Sequence, residues 1–339
     1  MLGQTLTTSF INQSTETNTN TEQLRAIKAL REKRMFKLIC GATYSDFEAI
    51  VKYSHIFTRA GAHIIDIAAH PTIVSATKEG IEKAGVPKDK QPAIMVSLSL
   101  DHKQDPHFRR IELKESSCDT CGVCIPNCPT QAFSIREGKL SYQKERCYGC
   151  GACVPLCHVD ALTPVPIKAF QPAILPELWD LGARCLEIHV GPNFYWFESY
   201  LEKIREISPQ PWLISVCIGS GFSSFNEIQE QAREIYNILG EGALIQVDGK
   251  PMTGYNKQDS SMLQALAVAE AVLEANTHIF VQVSGGINDR VKALLNQFDL
   301  RVHGIGMGSY AKKLIEPYLD DIETAVQIAS KLVSSARPY

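Results

Sequence analysis

The stretch CDTCGVCIPNCP, Cys118 to Pro129, places four cysteines and two prolines in twelve residues, leaving little room for a helix or a strand. The chain spells nearly the same thing again as CYGCGACVPLCH, Cys147 to His158. Both runs read C-x2-C-x2-C-x3-C, and the likeness extends to Gly151 against Gly122, Pro155 against Pro126 and Ala161 against Ala132, which marks an internal duplication. Eleven cysteines would suggest disulfides in a small secreted chain, but this one has 339 residues and groups eight of them at repeated spacings. Metal is the better explanation. Three closely spaced thiolates on a tight loop suit three corners of an iron–sulfur cube. A structural zinc site, the alternative, wants four tetrahedral ligands, usually in two separated pairs.

The spacing resembles that of bacterial-type ferredoxins, in which the fourth cysteine of each run ligates the other cluster. The resemblance implies two [4Fe–4S] clusters, one on Cys118, Cys121, Cys124 and Cys157, the other on Cys147, Cys150, Cys153 and Cys128. His158 stands where the second proline is expected, which changes the loop and leaves ligation intact. Cys40, Cys185 and Cys217 stand apart on apolar runs and read as packed core residues.

Outside this segment, β-branched and apolar runs alternate with amphipathic stretches, the pattern of parallel βα units. Eight strands are predicted, at 36–42, 63–70, 93–100, 185–190, 212–219, 243–249, 279–286 and 301–309, with helices such as 45–60, 196–207, 224–239 and 260–276 between them. Eight such units of about 250 residues make a TIM-like (β/α)8 barrel. A doubly wound open sheet is the runner-up, and the glycine-rich ends of the last two strands favour closure. The expected organisation is a flexible polar tail at 1–22, a discontinuous barrel at 23–113 and 165–339, and the two-cluster insert at 114–164 after the third strand. That loop belongs to the barrel face where binding residues of this fold collect, so the clusters are expected over the mouth.

Assigning the greasier set of each strand outward leaves Asp66 and His70, Glu187 and His189, and Gln246 and Asp248 facing the barrel axis, with Ser97, Ser99, Ser215 and Gln282. A purely structural barrel fills its axis with Val, Ile and Leu, so these polar groups point either to a ligand pocket or to a hydrogen-bond network closed on itself. The last strands end in SGGI and GIGMGS, where Gly285, Gly286, Gly306 and Ser309 suit an anion-binding rim for a flavin or phosphorylated small molecule, or else simply make tight turns. Lys250, beyond the sixth strand, either supplies charge to such a ligand or is a solvated loop residue.

A net charge of −3, with Lys and Arg scattered among acids, offers no basic stripe for nucleic acid or an anionic membrane. No apolar run approaches the length of about 18 residues needed for a transmembrane helix, and the first residues lack a signal-peptide pattern, so a cytoplasmic protein is expected.

With the polar N-terminal tail, the double cysteine motif a third of the way along and the segment GAHIIDIAAHP (61–71), the chain resembles the cyanobacterial light-dependent-period protein family. That resemblance implies an iron–sulfur protein giving light or redox input to the circadian clock, with clock proteins or an input kinase as partners and a quinone or electron carrier as redox partner. Two classes of function follow. One is a redox sensor acting through partner contacts. The other is an oxidoreductase whose clusters feed electrons to a flavin or substrate in the barrel.

Overall fold

The computed structural model describes residues 20–101, 103–167, 171–219, 224–249, 258–275 and 277–337. Helix α1 (Thr21–Arg31) precedes the first strand, β1 (Met35–Ile39). Then follow α2 (Phe47–Arg59), β2 (Ile64–Ala68), α3 (Pro71–Lys83) and β3 (Ala93–Ser99). The chain leaves the barrel for β4 (Arg109–Leu113), β5 (Phe133–Arg136), β6 (Lys139–Tyr142) and β7 (Leu162–Pro166). It re-enters through α4 (Leu175–Leu181) and β8 (Ala183–His189), and continues with α5 (Phe197–Ile207), β9 (Leu213–Gly219), α6 (Phe225–Leu239) and β10 (Leu244–Asp248). The last elements are α7 (Gln258–Glu274), β11 (Phe280–Ser284), α8 (Val291–Gln297), β12 (Gly304–Met307), α9 (Ser309–Ile315) and α10 (Ile322–Ser335).

Eight strands close into a parallel barrel in the order β1-β12-β11-β10-β9-β8-β3-β2. Because β3 pairs directly with β8, the segment from β4 to β7 is an excursion from a continuous wall. Its stem is the antiparallel pair β4 and β7, in register from Arg109 opposite Pro166 to Leu113 opposite Leu162, and β5 and β6 form a hairpin beyond it.

The period of two along each strand sorts the side chains into separate cores. Phe36, Leu38, Ile65, Ile67, Val96 and Ile188 face outward and are buried under the helices. The inward residues at the strand starts, among them Met35, Ile64, Met95, Cys185, Leu213 and Leu244, form a second apolar cluster with Ala26, Ile27, Ala29 and Leu30 of α1. Helix α1 is thus the floor of the barrel, and each fully buried aliphatic side chain there contributes about 1.5–3 kcal/mol of transfer free energy. Its start lies inside the stretch read as tail because Asn20 and Gln23 form a capping box, while the Gln23 amide donates to the carbonyls of Arg184 and Pro211 at 2.7 and 2.8 Å.

His70 departs from the alternation. The strand ends at Ala68, and His70 is the N-cap of α3, its Nδ1 accepting from Thr72 N at 3.1 Å, with Pro71 opening the helix. Cys40, Cys185 and Cys217 are buried, the last two facing into the barrel with Glu187 and Ser215 on the same strands.

Candidate functional site

The duplication seen in the cysteine runs extends to the backbone. Thr120 and Gly149, Gly122 and Gly151, and Gln131 and Asp160 hold equivalent positions, and each pair shares a positive φ, 61° and 71°, 75° and 74°, 52° and 50°. The fourth cysteines match too, since Ala132 N donates to Cys128 Sγ and Ala161 N to Cys157 Sγ, both at 3.2 Å. Backbone N–H groups aimed at sulfur stabilise negative charge there. The module also has its own apolar core, in which Ile111, Ala132, Phe133 and Leu162 surround Cys124, Cys147 and Cys153.

The thiols fall into two groups. Cys118, Cys121, Cys124, Cys153 and Cys157 line one cavity. Cys128 is outside that lining and lies near Cys124 of its own run as well as Cys150 and Cys153 of the second. Burial pushes the Cys150 thiol up to about 11, and Cys128 and Cys147 add to that rise. Burial likewise lifts Cys124 to about 11. Such pKa values are those of thiols in an apolar cage, and a bound iron reverses them by holding each sulfur as thiolate. Soft donors, tight loops and N–H groups at sulfur together suit iron–sulfur clusters better than hard cations. His158 bridges the runs, its Nε2 lying 2.9 Å from Asp119 Oδ2.

The second run docks on the barrel. Tyr148 is buried between Cys147 and Cys150, its hydroxyl 2.6 Å from Ser309 Oγ at the start of α9. The buried Lys312 ammonium donates to the Cys40 carbonyl and sits 4.1 Å from the Tyr148 ring centroid and 5.0 Å from that of Tyr44. Burial lowers the Lys312 pKa, against the pull of Cys40, Glu316 and Cys150. Arg146 pairs with Asp46 at 2.7 Å, Glu145 O accepts from Ser45 N at 2.9 Å, and Arg110 donates to the Thr43 carbonyl and, at 2.7 Å, to Ser45 Oγ. The loop between β1 and α2 is therefore clamped from both the stem and the second run.

Above the floor, the barrel interior is polar. Lys37, fully buried on β1, places Nζ 2.6 Å from Glu187 Oε2 and 3.7 Å from Asp66 Oδ2. Ser215 donates to Glu187 at 3.1 Å and Ser97 to Asp66 at 2.7 Å. Burial opposes the charge on Lys37, yet Glu187 and Asp66 outweigh it and hold the pKa above the ordinary lysine value. Across the barrel, Gln282 donates to Gln246 at 2.8 Å and to Ser284 at 2.9 Å, and the Cys217 thiol donates to Asp248 at 3.3 Å.

At the mouth, four groups converge. Asp105 accepts from His107 N and lies 2.9 Å from His107 Nδ1, while its other oxygen is 3.5 Å from His189 Nδ1. His107 Nε2 is 3.6 Å from Asp248 Oδ2. Burial works against a charged His107, but the hydrogen bond and charge of Asp105, with Asp248 and Glu187, raise it to about 9. Burial pushes His189 down to about 4. Asp105 is held far below the carboxylate range despite burial, chiefly by His189 and His107.

Residues 178–337 match the family described as "Light dependent period A C-terminal domain", and residues 109–161 match "4Fe-4S dicluster domain". The chain is 29% identical over 328 residues to "Light dependent period A" of Synechococcus elongatus, covering 91% of each chain. The chain thus resembles the light dependent period A family over most of its length. Among solved structures it is similar to the tryptophan synthase subunit alpha of Legionella pneumophila, at 11% identity and a TM-score of 0.47, covering 94% of this chain and 97% of that one. The aldolase QR15 is similar at 13% identity and a TM-score of 0.45, covering 85% and 95%. The barrel itself rests on the closed strand order, and the dicluster match lies between its third and fourth strands.

Asp66, Glu187, Gln246 and Asp248 lie in the interior network, and His189 lies at the mouth. Lys250 lies outside the described residues. Three of the four rim residues have close neighbours within the protein. Gly306 sits within β12, where an added Cβ would come within 2.3 Å of Ser284 Oγ and 2.6 Å of Gln282 Nε2, so the polar network itself requires a glycine. Gly285 lies against Asp248, with an added Cβ 2.8 Å from Oδ1, and Ser309 is turned to Tyr148. Lys37, Asp105, His107, Tyr148 and Lys312 were not singled out from sequence. Lys37 alone carried a signal, because its parity on the first strand is inward. Among the described residues no helix is long and apolar enough to cross a membrane.

Proposed function

We propose that this iron–sulfur protein is a redox-responsive regulator in light input to circadian timing, in which the electron state of the cysteine module changes the barrel face offered to a partner. Each cluster, when bound, supplies a site that takes up and releases one electron. The crossed arrangement is part of the proposal, with Cys118, Cys121, Cys124 and Cys157 around one cluster and Cys147, Cys150, Cys153 and Cys128 around the other. The presence of Cys157 in the cavity lined by Cys118, Cys121 and Cys124 supports it.

The observation that carries the reading is the burial of Tyr148, one residue from Cys147 and two from Cys150, against Ser309 and Lys312. A change of charge among these sulfurs acts directly on a desolvated ammonium, where screening by water is weak. Ser309 and Lys312 belong to α9, so that helix is the element the charge can move. A flavin or phosphate in the barrel is less well supported, since the carboxylate of Asp248 stands at the Gly285 turn where the anion would sit.

The test compares hydrogen exchange of the anaerobic protein in its oxidised and dithionite-reduced states. Amides of 304–318 should change protection while those of the floor helix α1 stay constant. Identical exchange in both states, with both clusters seen to cycle by electron paramagnetic resonance, overturns the reading.

A further inference from the structure

We propose that Asp105, His107 and His189 form a mononuclear site for a divalent transition-metal ion at the barrel mouth, separate from the cysteine clusters. One ligand atom from each of the three lies within 4.8 Å of the others, and their surroundings are buried or half-buried. Imidazole with carboxylate is the donor set of first-row ions such as zinc or ferrous iron. The edges of a zinc tetrahedron with bonds of about 2.0–2.1 Å are about 3.4 Å. Asp105 Oδ1 to His107 Nδ1, at 2.9 Å, and Asp105 Oδ2 to His189 Nδ1, at 3.5 Å, are close to such edges.

Two further features point the same way. Asp248 Oδ2, 3.6 Å from His107 Nε2, stands on the far ring nitrogen, where carboxylates orient a metal-binding imidazole. Ser99 stands opposite His189 in the β3–β8 ladder on the same inward face, and its buried Oγ has no hydrogen-bond partner. A metal-bound water would satisfy it. Two carboxylates facing two imidazoles also favour a cation over an anion. Because His107 lies two residues before the stem strand β4, an ion held there would tie the cysteine insert to the barrel wall.

The test uses the full chain with both clusters in place, dialysed anaerobically against zinc chloride and then against metal-free buffer. One zinc per chain should remain by mass spectrometry. His189→Ala and Asp105→Asn should each lower zinc affinity by about tenfold or more. Iron content and thermal unfolding of both variants should match the parent. His158→Ala removes a histidine from an exposed Asp119, Cys121 and His158 group and should leave the zinc in place. The proposal is overturned if the parent retains no zinc. It is equally overturned if zinc is lost only with His158→Ala, or if it survives both mouth substitutions in folded protein.

Discussion

Asp119 and Tyr148 occupy the same place in the two cysteine runs, one residue after the first cysteine, and have opposite surroundings. Asp119 is exposed and meets only its own module, through His158 and the Cys121 N–H. Tyr148 is buried against the barrel. The backbone around both follows the same path, as the matched positive φ values attest. Duplication thus gives two similar thiol cages, and docking makes them unequal: one half faces solvent, the other a lysine and a hydroxyl of the barrel. Since burial and nearby charge set the reduction potential of an iron–sulfur cluster, two like motifs in such places should titrate apart.

The largest effect expected from this comparison is on the clusters themselves. Cys128→Ser should lower the iron content by about half and remove the cluster held by the second run, because in the proposed crossed arrangement its thiolate is a ligand of the opposite cage. Cys157→Ser should do the reverse. Paramagnetic resonance of the reduced variants distinguishes the two. If Cys128→Ser and Cys121→Ser erase the same signal, each run keeps its own fourth thiolate.

A second effect separates the two halves through the backbone alone. Thr120 and Gly149 both have positive φ, but an added Cβ at Gly149 would lie 2.3 Å from the Arg109 carbonyl oxygen on the stem. Thr120 already carries a side chain at the equivalent point, half-exposed. Gly149→Thr should therefore cost about 3 kcal/mol or more, from overpacking against a carbonyl that cannot yield and from left-handed strain. Thr120→Gly should stay within about 0.5 kcal/mol. Chemical unfolding followed by circular dichroism measures both, and equal costs would show that the second run is free of the stem.

The two regions also differ in how far they could be read without a structure. In the insert, chemistry is written as spacing, because consecutive cysteines must reach one cube, and so the candidate ligands are visible as a pattern. In the barrel, β-branched runs revealed the strands, and alternation revealed Glu187, Gln246 and Asp248, because burial on one face obeys a period of two. The same rule turns Lys37 inward, but a lysine among Phe36, Leu38 and Ile39 declares no partner; only closure brings Glu187, 150 residues away, to its ammonium. Asp105 caps a single 3-10 turn (Pro106–Phe108) that holds His107, too short for periodicity, and their meeting with His189 depends on where β3 ends. Tyr148 and Lys312 look like a spacer and a polar helix position. Their burial follows from the docking of the insert, a contact between distant segments that no local pattern encodes. His70 failed for the complementary reason: alternation was carried past the end of a strand into a helix cap.

The smallest effect isolates the anchor. Tyr148→Phe keeps the ring, hence the Lys312 cation–π contact at 4.1 Å, and removes only the hydroxyl that meets Ser309 Oγ at 2.6 Å. A neutral hydrogen bond of this kind contributes about 1 kcal/mol net, so the variant should remain folded and keep both clusters while losing about that much stability. Its value lies in what else changes. If α9 responds to the cysteine module through this hydroxyl, the redox-dependent difference in exchange at 304–318 should shrink in Tyr148→Phe, whereas Asp119→Ala, at the equivalent place in the first run, should leave it intact. An undiminished difference in Tyr148→Phe would assign the coupling to the ring and the Lys312 charge instead. Tyr148→Leu, which removes the ring as well, would then be the variant that abolishes it.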